Sequence, residues 1–187
     1  MKYFISNNRK KRRVLKKYSN SKKENKRVYL AKYLTCPLDI LEKLSNDKSV
    51  FVRSALALRG GDFFDYAKNV NCCPIHILKK LSNDKHWKVR EKVATNIYCP
   101  ASILEKLSND SCDEIIYAVV RNSNCPINIL EKYLEKYKNC YKKYMLQLNI
   151  VFNNNCSFYI LKKLYKENEN LRKYIAKHPN WKLFDFS

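Results

Sequence analysis

Lysine occupies one fixed place in a twelve-residue segment that the sequence repeats five times. The clearest copies are CPLDILEKLSND at 36–47, CPIHILKKLSND at 73–84 and CPASILEKLSND at 99–110, and the weaker ones are CPINILEKYLEK at 125–136 and CSFYILKKLYKE at 156–167. The eighth residue of each copy is a lysine: Lys43, Lys80, Lys106, Lys132 and Lys163. If the copies stack, these lysines form a row of ammonium groups that suits contact with phosphates or with an acidic protein. A row of solvated side chains that bind nothing explains the pattern about as well.

A second group of cations lies at the N-terminus. Residues 1–33 hold thirteen Lys and Arg and one acidic residue, which accounts for +12 of the total net charge of +21. So large a charge indicates a polyanionic partner, although a proteome biased toward lysine would also produce it. Because residues 1–27 contain no copy of the segment, we predict a disordered arm that binds polyanions or directs the protein to the nucleus. The candidate phosphate contacts in it are Arg9, Lys10, Lys11, Arg12, Arg13, Lys16, Lys17, Lys22 and Lys23.

One pair of residues combines an aromatic ring with a carboxylate. Trp87 and Glu91 are four residues apart, hence on one helical face, and cations flank them at Lys85, Lys88, Arg90 and Lys92. The pair resembles the aromatic residues and carboxylate that HEAT-like alkylpurine DNA glycosylases use. The resemblance implies that a cationic base would sit against Trp87 while Glu91 stabilises the developing positive charge. The ordinary alternative is an aromatic residue packed in the core, and we expect Trp87 to be structural.

Tyrosines form a second aromatic series at Tyr133, Tyr137, Tyr141 and Tyr144, with lysines between them. Aromatic rings on a basic background stack on single-stranded bases. The same spacing also describes a core stripe of a helix whose hydroxyls reach the rim, and we favour the core.

The cysteines and histidines do not have the spacing of a metal site. The chain has eight cysteines but no C-x2-C pair, and its three histidines are scattered. No phosphate-binding loop and no nucleophile motif is present. We therefore predict no metal, no cofactor and no catalytic activity. With neither a secretory signal nor a membrane span in the sequence, we also predict reduced thiols in an intracellular compartment, the cytoplasm, the nucleus or an organelle, and no membrane contact.

The elements that position these residues are predicted to be short helices. Only two glycines occur, at Gly60 and Gly61, which leaves few turns for β-hairpins and favours an all-α fold. In each copy Cys stands where an N-cap belongs and apolar residues recur at helical spacing, and in the first four copies Pro follows at the first helical position. A second amphipathic helix follows the Ser-Asn-Asp turn. The copies begin at Cys36, Cys73, Cys99, Cys125 and Cys156, and the long first step indicates an inserted loop at 58–70.

The segment SNDKHWKVREKVATNIYCPASIL resembles the variant leucine-rich repeat, a relative of HEAT repeats. The residues that carry the likeness are Asp84, Val89, Arg90, Val93, Ala94, Asn96, Pro100, Ile103 and Leu104, and the first copy matches at Asp47, Val52, Arg53 and Ala55. The resemblance implies a right-handed α-solenoid of about five two-helix repeats that serves as a binding scaffold. It also implies a ladder of Asp–Arg pairs six residues apart, at Asp47–Arg53 and Asp84–Arg90, with Glu167–Lys173 as a weaker counterpart.

These observations predict a basic arm at 1–27 and a helical-repeat solenoid at 28–187 that ends in a cap at 177–187. The predicted function is non-catalytic binding of nucleic acid, DNA or RNA, through phosphates and with little sequence preference. A scaffold for protein partners, acidic ones included, is the first alternative. A HEAT-like alkylpurine DNA glycosylase built on Trp87 and Glu91 is the second.

Overall fold

The computed structural model describes the backbone of residues 2–33, 35–60 and 72–182, and the side chains of these residues except 2–8 and 33. The described residues form thirteen α-helices and no strand, which confirms the all-α prediction. The chain divides into two compact units, unit 1 at residues 1–98 and unit 2 at residues 99–187.

Unit 1 consists of three helix pairs. Its helices are α1 (Lys2–Ser19), α2 (Glu24–Tyr33), α3 (Leu38–Ser45), α4 (Val50–Ala57), α5 (Ile75–Leu81) and α6 (Trp87–Thr95). The first helices of the pairs contact one another in order, α1 with α3 and α3 with α5, and the second helices do the same, α2 with α4 and α4 with α6. A helix of this length cannot bury its apolar stripe alone, so each one packs that stripe against the neighbouring pair.

Unit 2 contains the remaining helices in the same alternation. They are α7 (Ala101–Leu107), α8 (Asp113–Arg121), α9 (Ile127–Lys136), α10 (Lys143–Val151), α11 (Phe158–Glu167), α12 (Glu169–Ile175) and the short α13 (Pro179–Lys182). The second helices again contact one another, α8 with α10 and α10 with α12. Residues 183–187, the end of the predicted cap, lie outside the described residues.

The N-terminal residues form a helix pair, so the prediction of a disordered arm is wrong for residues 2–19. The predicted boundary after residue 27 falls inside α2. Leu15 of α1 and Leu30 and Ala31 of α2 are buried in the core of unit 1. Burial of these apolar side chains, at roughly 1.5–3 kcal/mol for a leucine, stabilises a segment that its charge alone would leave unfolded.

The first pair obeys the repeat pattern without its Cys-Pro start. VLKKYSNS at 14–21 occupies the same place as ILEKLSND at 40–47. Ser19 is buried and its hydroxyl donates to the Lys16 carbonyl oxygen, as that of Ser45 donates to the Glu42 carbonyl oxygen. The shared bond closes the last turn of each first helix, because a buried hydroxyl needs a partner and the carbonyl three residues earlier is within reach.

The repeated cysteines do not cap the helices. Pro, and not Cys, occupies the N-cap position of α3, α5, α7 and α9, where no side chain accepts a hydrogen bond from the helix. The preceding cysteines are buried: Cys36, Cys73, Cys99, Cys125 and Cys156. The predicted N-cap role is therefore wrong. A thiol is a weak hydrogen-bond acceptor and packs as a small apolar group, which is how the core uses it.

Arginine forks join successive pairs at the N-terminal ends of the second helices. Arg27 binds Asp47 through two hydrogen bonds, Nε to Oδ2 at 2.7 Å and NH2 to Oδ1 at 3.2 Å, and Arg53 binds Asp84 in the same way at 2.6 and 3.0 Å. The remaining nitrogen of Arg53 donates to the Asp47 carbonyl oxygen at 2.6 Å. The predicted ion pair between Asp47 and Arg53 is thus wrong. Arg53 binds the carbonyl oxygen of Asp47, and the carboxylate of Asp47 binds Arg27 of the preceding pair.

A second set of polar contacts joins the same helices at their C-terminal ends. The buried Asn96, just after α6, donates from Nδ2 to the Ala57 carbonyl oxygen of α4 at 2.7 Å. Arg59, just after α4, takes the equivalent place and donates to the Ala31 carbonyl oxygen of α2 at 2.8 Å. Because both ends of each helix are tied to the same ends of its neighbour, α2, α4 and α6 lie side by side and point in the same direction.

The inserted segment leaves the repeat frame intact. The Cys73 N–H donates to the Arg59 carbonyl oxygen at 3.2 Å, which is the bond that the Cys125 N–H makes to the Asn122 carbonyl oxygen in unit 2. Gly60 begins the insertion with a φ of +67°, and a Cβ there would meet the Cys72 Cα at 3.0 Å. A residue with a side chain would be strained at this position. Residues 61–71, most of the predicted insertion, lie outside the described residues.

We predict that Arg27→Ala lowers the free energy of unfolding by about 3 kcal/mol, because it leaves the carboxylate of Asp47 buried without its partner. The matched control is Arg12→Ala. Arg12 also binds an aspartate, Asp39 at 3.1 Å, but both side chains are about half exposed, so this loss should stay below about 1 kcal/mol. Urea unfolding followed by circular dichroism measures both values. Equal losses would show that the fork does not hold the first pair in place.

The same forks predict how stability depends on pH. Burial raises the pKa of Asp47 and Asp84. The hydrogen bonds from Arg27 and Arg53, together with the backbone hydrogen bonds from Ser49 and His86 and the nearby positive charges, outweigh burial and hold the pKa of each below its ordinary value. Since the unfolded carboxyls titrate near 3.9, the contribution is complete above that pH and is lost as the pH falls through the folded-state pKa. Urea unfolding between roughly pH 6 and pH 3 should show this loss, and Asp47→Asn should reduce its steepness.

Candidate nucleic-acid interface

Exposed cations cover α1. Seven of the predicted phosphate contacts lie on this helix with their side chains exposed: Arg9, Lys10, Lys11, Arg12, Arg13, Lys16 and Lys17. Among the described residues, Arg12 is the only one of the seven that forms an ion pair, with Asp39 of α3. Between residues 9 and 19, Leu15 and Ser19 are buried and Tyr18 is half-buried, while the other eight side chains are exposed and seven of them are cationic. The helix therefore orders cations that a disordered arm would have left scattered.

The turn between α1 and α2 continues this surface. Lys22 and Lys23 are exposed, and Lys26 lies 5.6 Å above the ring centroid of Tyr18. Unit 1 as a whole holds 24 Lys and Arg against 8 Asp and Glu, whereas unit 2 holds 14 against 9. The excess of positive charge is thus concentrated in unit 1.

The lysine row makes specific contacts with the preceding helix pair. Lys80 Nζ donates to Asn46 Oδ1 at 2.6 Å and to Ser45 Oγ at 2.8 Å. Lys132 donates to Asn109 at 3.1 Å, and Lys43 donates to Asn20. An ammonium group has three N–H donors, so one or two of them fix the side chain while the rest and the full charge stay available to solvent or to an anion. The row is therefore partly structural, a role that neither sequence interpretation included.

The other two lysines of the row are exposed as well, at Lys106 and Lys163. Lys163 borders a cavity of about 300 Å³ in unit 2 that is lined by three lysines and two glutamates, together with Leu134 and Gln147. The lining carries both signs of charge, so the cavity shows no preference for an anion.

Trp87 and Glu91 both contact residues close to them in the sequence. Trp87 is 39 % exposed, with its ring stacked on that of His86 at 6.2 Å between centroids, so the prediction of a packed core aromatic is wrong. Glu91 is bound by neighbours of its own helix, Lys92 Nζ at 3.0 Å and the Thr95 hydroxyl at 3.1 Å. Its carboxylate is thereby engaged inside the fold.

The predicted tyrosine stripe is correct for half of its members. Tyr133 and Tyr137 are buried, and the Tyr137 hydroxyl donates to Asp113 Oδ1 at 2.8 Å. Because α9 ends at Lys136, Tyr141 and Tyr144 do not continue the stripe, and Tyr141 is 90 % exposed. Burial and, to a smaller extent, the hydrogen bond to Asp113 raise the pKa of Tyr137. The hydrogen bonds from Lys142 and Tyr137 lower the pKa of Asp113. These groups form a polar contact between α9 and α8 and offer no surface for a base.

All eight cysteines are free thiols, five of them buried. Burial raises the pKa of Cys73, Cys99, Cys125 and Cys156 to about 12, so these thiols stay protonated at neutral pH. Within the described residues, no three His, Cys, Asp or Glu side chains lie close enough together to hold a metal ion. None of the described helices is long and apolar enough to cross a bilayer.

The first helix pair was not predicted from the sequence, and with it the place of Lys17 in the lysine row and the role of Arg27 were missed. Lys17 stands in α1 where Lys43 stands in α3, so the lysine row has an additional member on the most basic helix. Arg27 stands where Arg53 and Arg90 stand in the following pairs. The signal was present in the sequence: Ser19 precedes Cys36 by seventeen residues, as Ser82 precedes Cys99.

Comparison with protein families, with curated proteins and with solved structures found no match for this chain. The proposals below therefore depend on the residues and their geometry alone.

We predict that the native protein at pH 8 exposes three thiols to an aromatic disulfide reagent, with Cys72 reacting first and Cys112 and Cys140 more slowly. The five buried thiols should react only after unfolding, because burial excludes the reagent and keeps most of them protonated. Absorbance of the released thiolate measures the count with and without denaturant, and Cys72→Ser should remove the fast phase. Reaction of all eight thiols in the folded protein would contradict the buried positions.

Proposed function

We propose that this protein is a non-catalytic helical-repeat module, a right-handed α-solenoid of two-helix repeats, that binds nucleic acid through its phosphates with little sequence preference. The observation that carries the proposal is the cationic surface of α1, where seven exposed Lys and Arg share one carboxylate partner among the described residues. A surface of one sign attracts a polyanion, and each neutralised phosphate releases condensed counterions, which drives binding at low salt.

The lysine row supports the same proposal. Three of its members, Lys43, Lys80 and Lys132, bind asparagines of the preceding pair, so that less side-chain freedom is lost when a phosphate binds. A charge fixed in advance binds more tightly than the same charge on a freely moving side chain.

The two alternatives fit these contacts less well. A glycosylase needs a free carboxylate beside an exposed ring, and the carboxylate of Glu91 is already bound by Lys92 and Thr95. A protein scaffold would use the same cations for an acidic partner, and the experiment below separates that case from the proposal.

The proposal predicts that five substitutions on α1 reduce both the affinity for nucleic acid and its salt dependence. Arg9, Lys10, Lys11, Arg13 and Lys17 are exposed and form no ion pair among the described residues, so changing them together to Gln should leave the fold intact. If each contacts one phosphate, the slope of log K against log salt should fall by up to about four, at ~0.7–0.9 per contact. Fluorescence anisotropy with labelled DNA and RNA at several salt concentrations measures it.

The matched control removes the same charge from unit 2. Lys162, Lys166, Lys173, Lys177 and Lys182 are exposed, and changing them to Gln should leave the slope nearly unchanged. If the two variants lose affinity equally, binding depends on net charge and not on α1. If the wild type binds neither duplex nor single strands at ~50 mM salt, where phosphate contacts are strongest, the proposal is wrong.

A further inference from the structure

Two aromatic rings are exposed on neighbouring helices of unit 1, at the edge where the second helices begin. Phe51 is the second residue of α4 and is 62 % exposed, and Trp87 is the first residue of α6. Since α4 and α6 lie side by side in the same direction, both rings are in the first turn of adjacent helices. Single exposed apolar side chains are common on protein surfaces, but two aromatic rings in the first turns of adjacent helices form a candidate contact surface.

Lysines surround the two rings. Lys48 precedes Phe51 by three residues, and Lys85 and Lys88 stand on either side of Trp87, all three with exposed side chains. Lys88 Nζ lies 5.7 Å from the centroid of the Trp87 ring. Aromatic rings interleaved with cations are the combination by which proteins hold single strands, with bases on the rings and phosphates on the cations.

The acidic residues of this edge do not cancel its charge. Asp47 and Asp84 precede the two helices, and both are neutralised by the buried forks of Arg27 and Arg53. The side chains of these four residues are no more than 10 % exposed. Glu91, one turn beyond Trp87, is paired with Lys92 at 3.0 Å. Their charges are therefore paired inside unit 1, and the exposed charge along this edge of α4 and α6 is cationic.

The first pair of unit 2 carries neither feature at the equivalent positions. The sequence places Asp113 of α8 where Trp87 stands in α6, and Glu114 where Lys88 stands. Glu114 is exposed, and Asp113 is bound by Lys142. The folding of a helix pair thus does not require an aromatic ring and a lysine at these positions, because the first pair of unit 2 folds with acidic residues there.

We propose that this edge of unit 1, formed by Lys48, Phe51, Lys85, Trp87 and Lys88, binds single-stranded nucleic acid by stacking bases on Phe51 and Trp87 while the lysines contact the phosphates. The inference rests on the proposed function and narrows it to unpaired strands, because the bases of a duplex are stacked on each other and present no face to a ring. Every base has such a face, so binding requires no particular sequence.

The test compares an oligothymidylate with a duplex of the same length at several salt concentrations. Phe51→Ala and Trp87→Ala should each weaken binding of the oligothymidylate about ten-fold and leave the salt slope and the duplex affinity unchanged, since they remove a stacking surface and no charge. Phe51→Tyr and Trp87→Phe keep an aromatic ring and should retain most of the affinity. Tyr141→Ala is the matched control, because it removes the most exposed ring among the described residues of unit 2 and should change neither affinity.

A second measurement detects the contact directly. The chain has two tryptophans, and Trp181 stacks on Tyr165 at 4.8 Å between centroids. In a Trp181→Phe variant Trp87 is the one remaining tryptophan, so the tryptophan fluorescence reports on its ring alone. Oligothymidylate should quench this fluorescence, while an acidic polypeptide should not.

The outcomes separate the inference from the proposed function. Suppose that the protein binds duplex and single strands, but that the two alanine variants keep both affinities or lose both equally. The proposal of a stacking edge is then wrong, while the proposal of phosphate binding by α1 stands. If an acidic polypeptide binds in place of nucleic acid, both are wrong.

Discussion

The guanidinium forks of Arg27 and Arg53 each hold three groups at once: a carbonyl oxygen that precedes their own helix and both carboxylate oxygens of an aspartate in the next pair. Arg53 shows this with Asp47 and Asp84. At the other end of the same helices, Asn96 and Arg59 bind the last-turn carbonyls of the preceding helix. Buried polar groups of this kind are costly unless all are satisfied, so a shift of one pair against the next would cost several hydrogen bonds together. The two sets of contacts thereby fix the register of α2, α4 and α6.

That register decides what the surface of unit 1 presents. Because the second helices start at the same level, the turns that precede them lie along one edge, with Lys48 and Lys85 at equivalent positions and Phe51 and Trp87 in the first turns of α4 and α6. The forks act on charge as well as on geometry. They take the carboxylates of Asp47 and Asp84 out of the surface and leave the lysines beside them uncompensated. Unit 2 replaces a fork by a neutral amide contact, Asn168 with Gln147 at 3.0 Å, and carries less excess charge.

The features that the sequence predicted are those that depend on short-range pattern. The all-α class, the first helices of the copies and the insertion near Gly60 follow from spacing and composition. The first pair escaped because α1 lacks the Cys-Pro start, and its charge suggested disorder although Leu15, Leu30 and Ala31 supply a core stripe. The partner of Asp47 could not be read from spacing, since it lies twenty residues earlier in another pair. Trp87 was misassigned because helical periodicity does not distinguish a ring at the rim from one in the core.

The bond between the Cys73 N–H and the Arg59 carbonyl oxygen has a consequence for how such a chain can change over time. This bond joins the two ends of the inserted segment, whatever the length of that segment. Residues can therefore be added or lost between Gly60 and Cys72 without moving α4 or α5. The entropy of closing a loop grows slowly, by about 0.6 kcal/mol for each doubling of its length. This corner of the molecule is therefore where a foreign peptide, a tag or a newly acquired segment could be accommodated with the least disturbance of the neighbouring helix pairs.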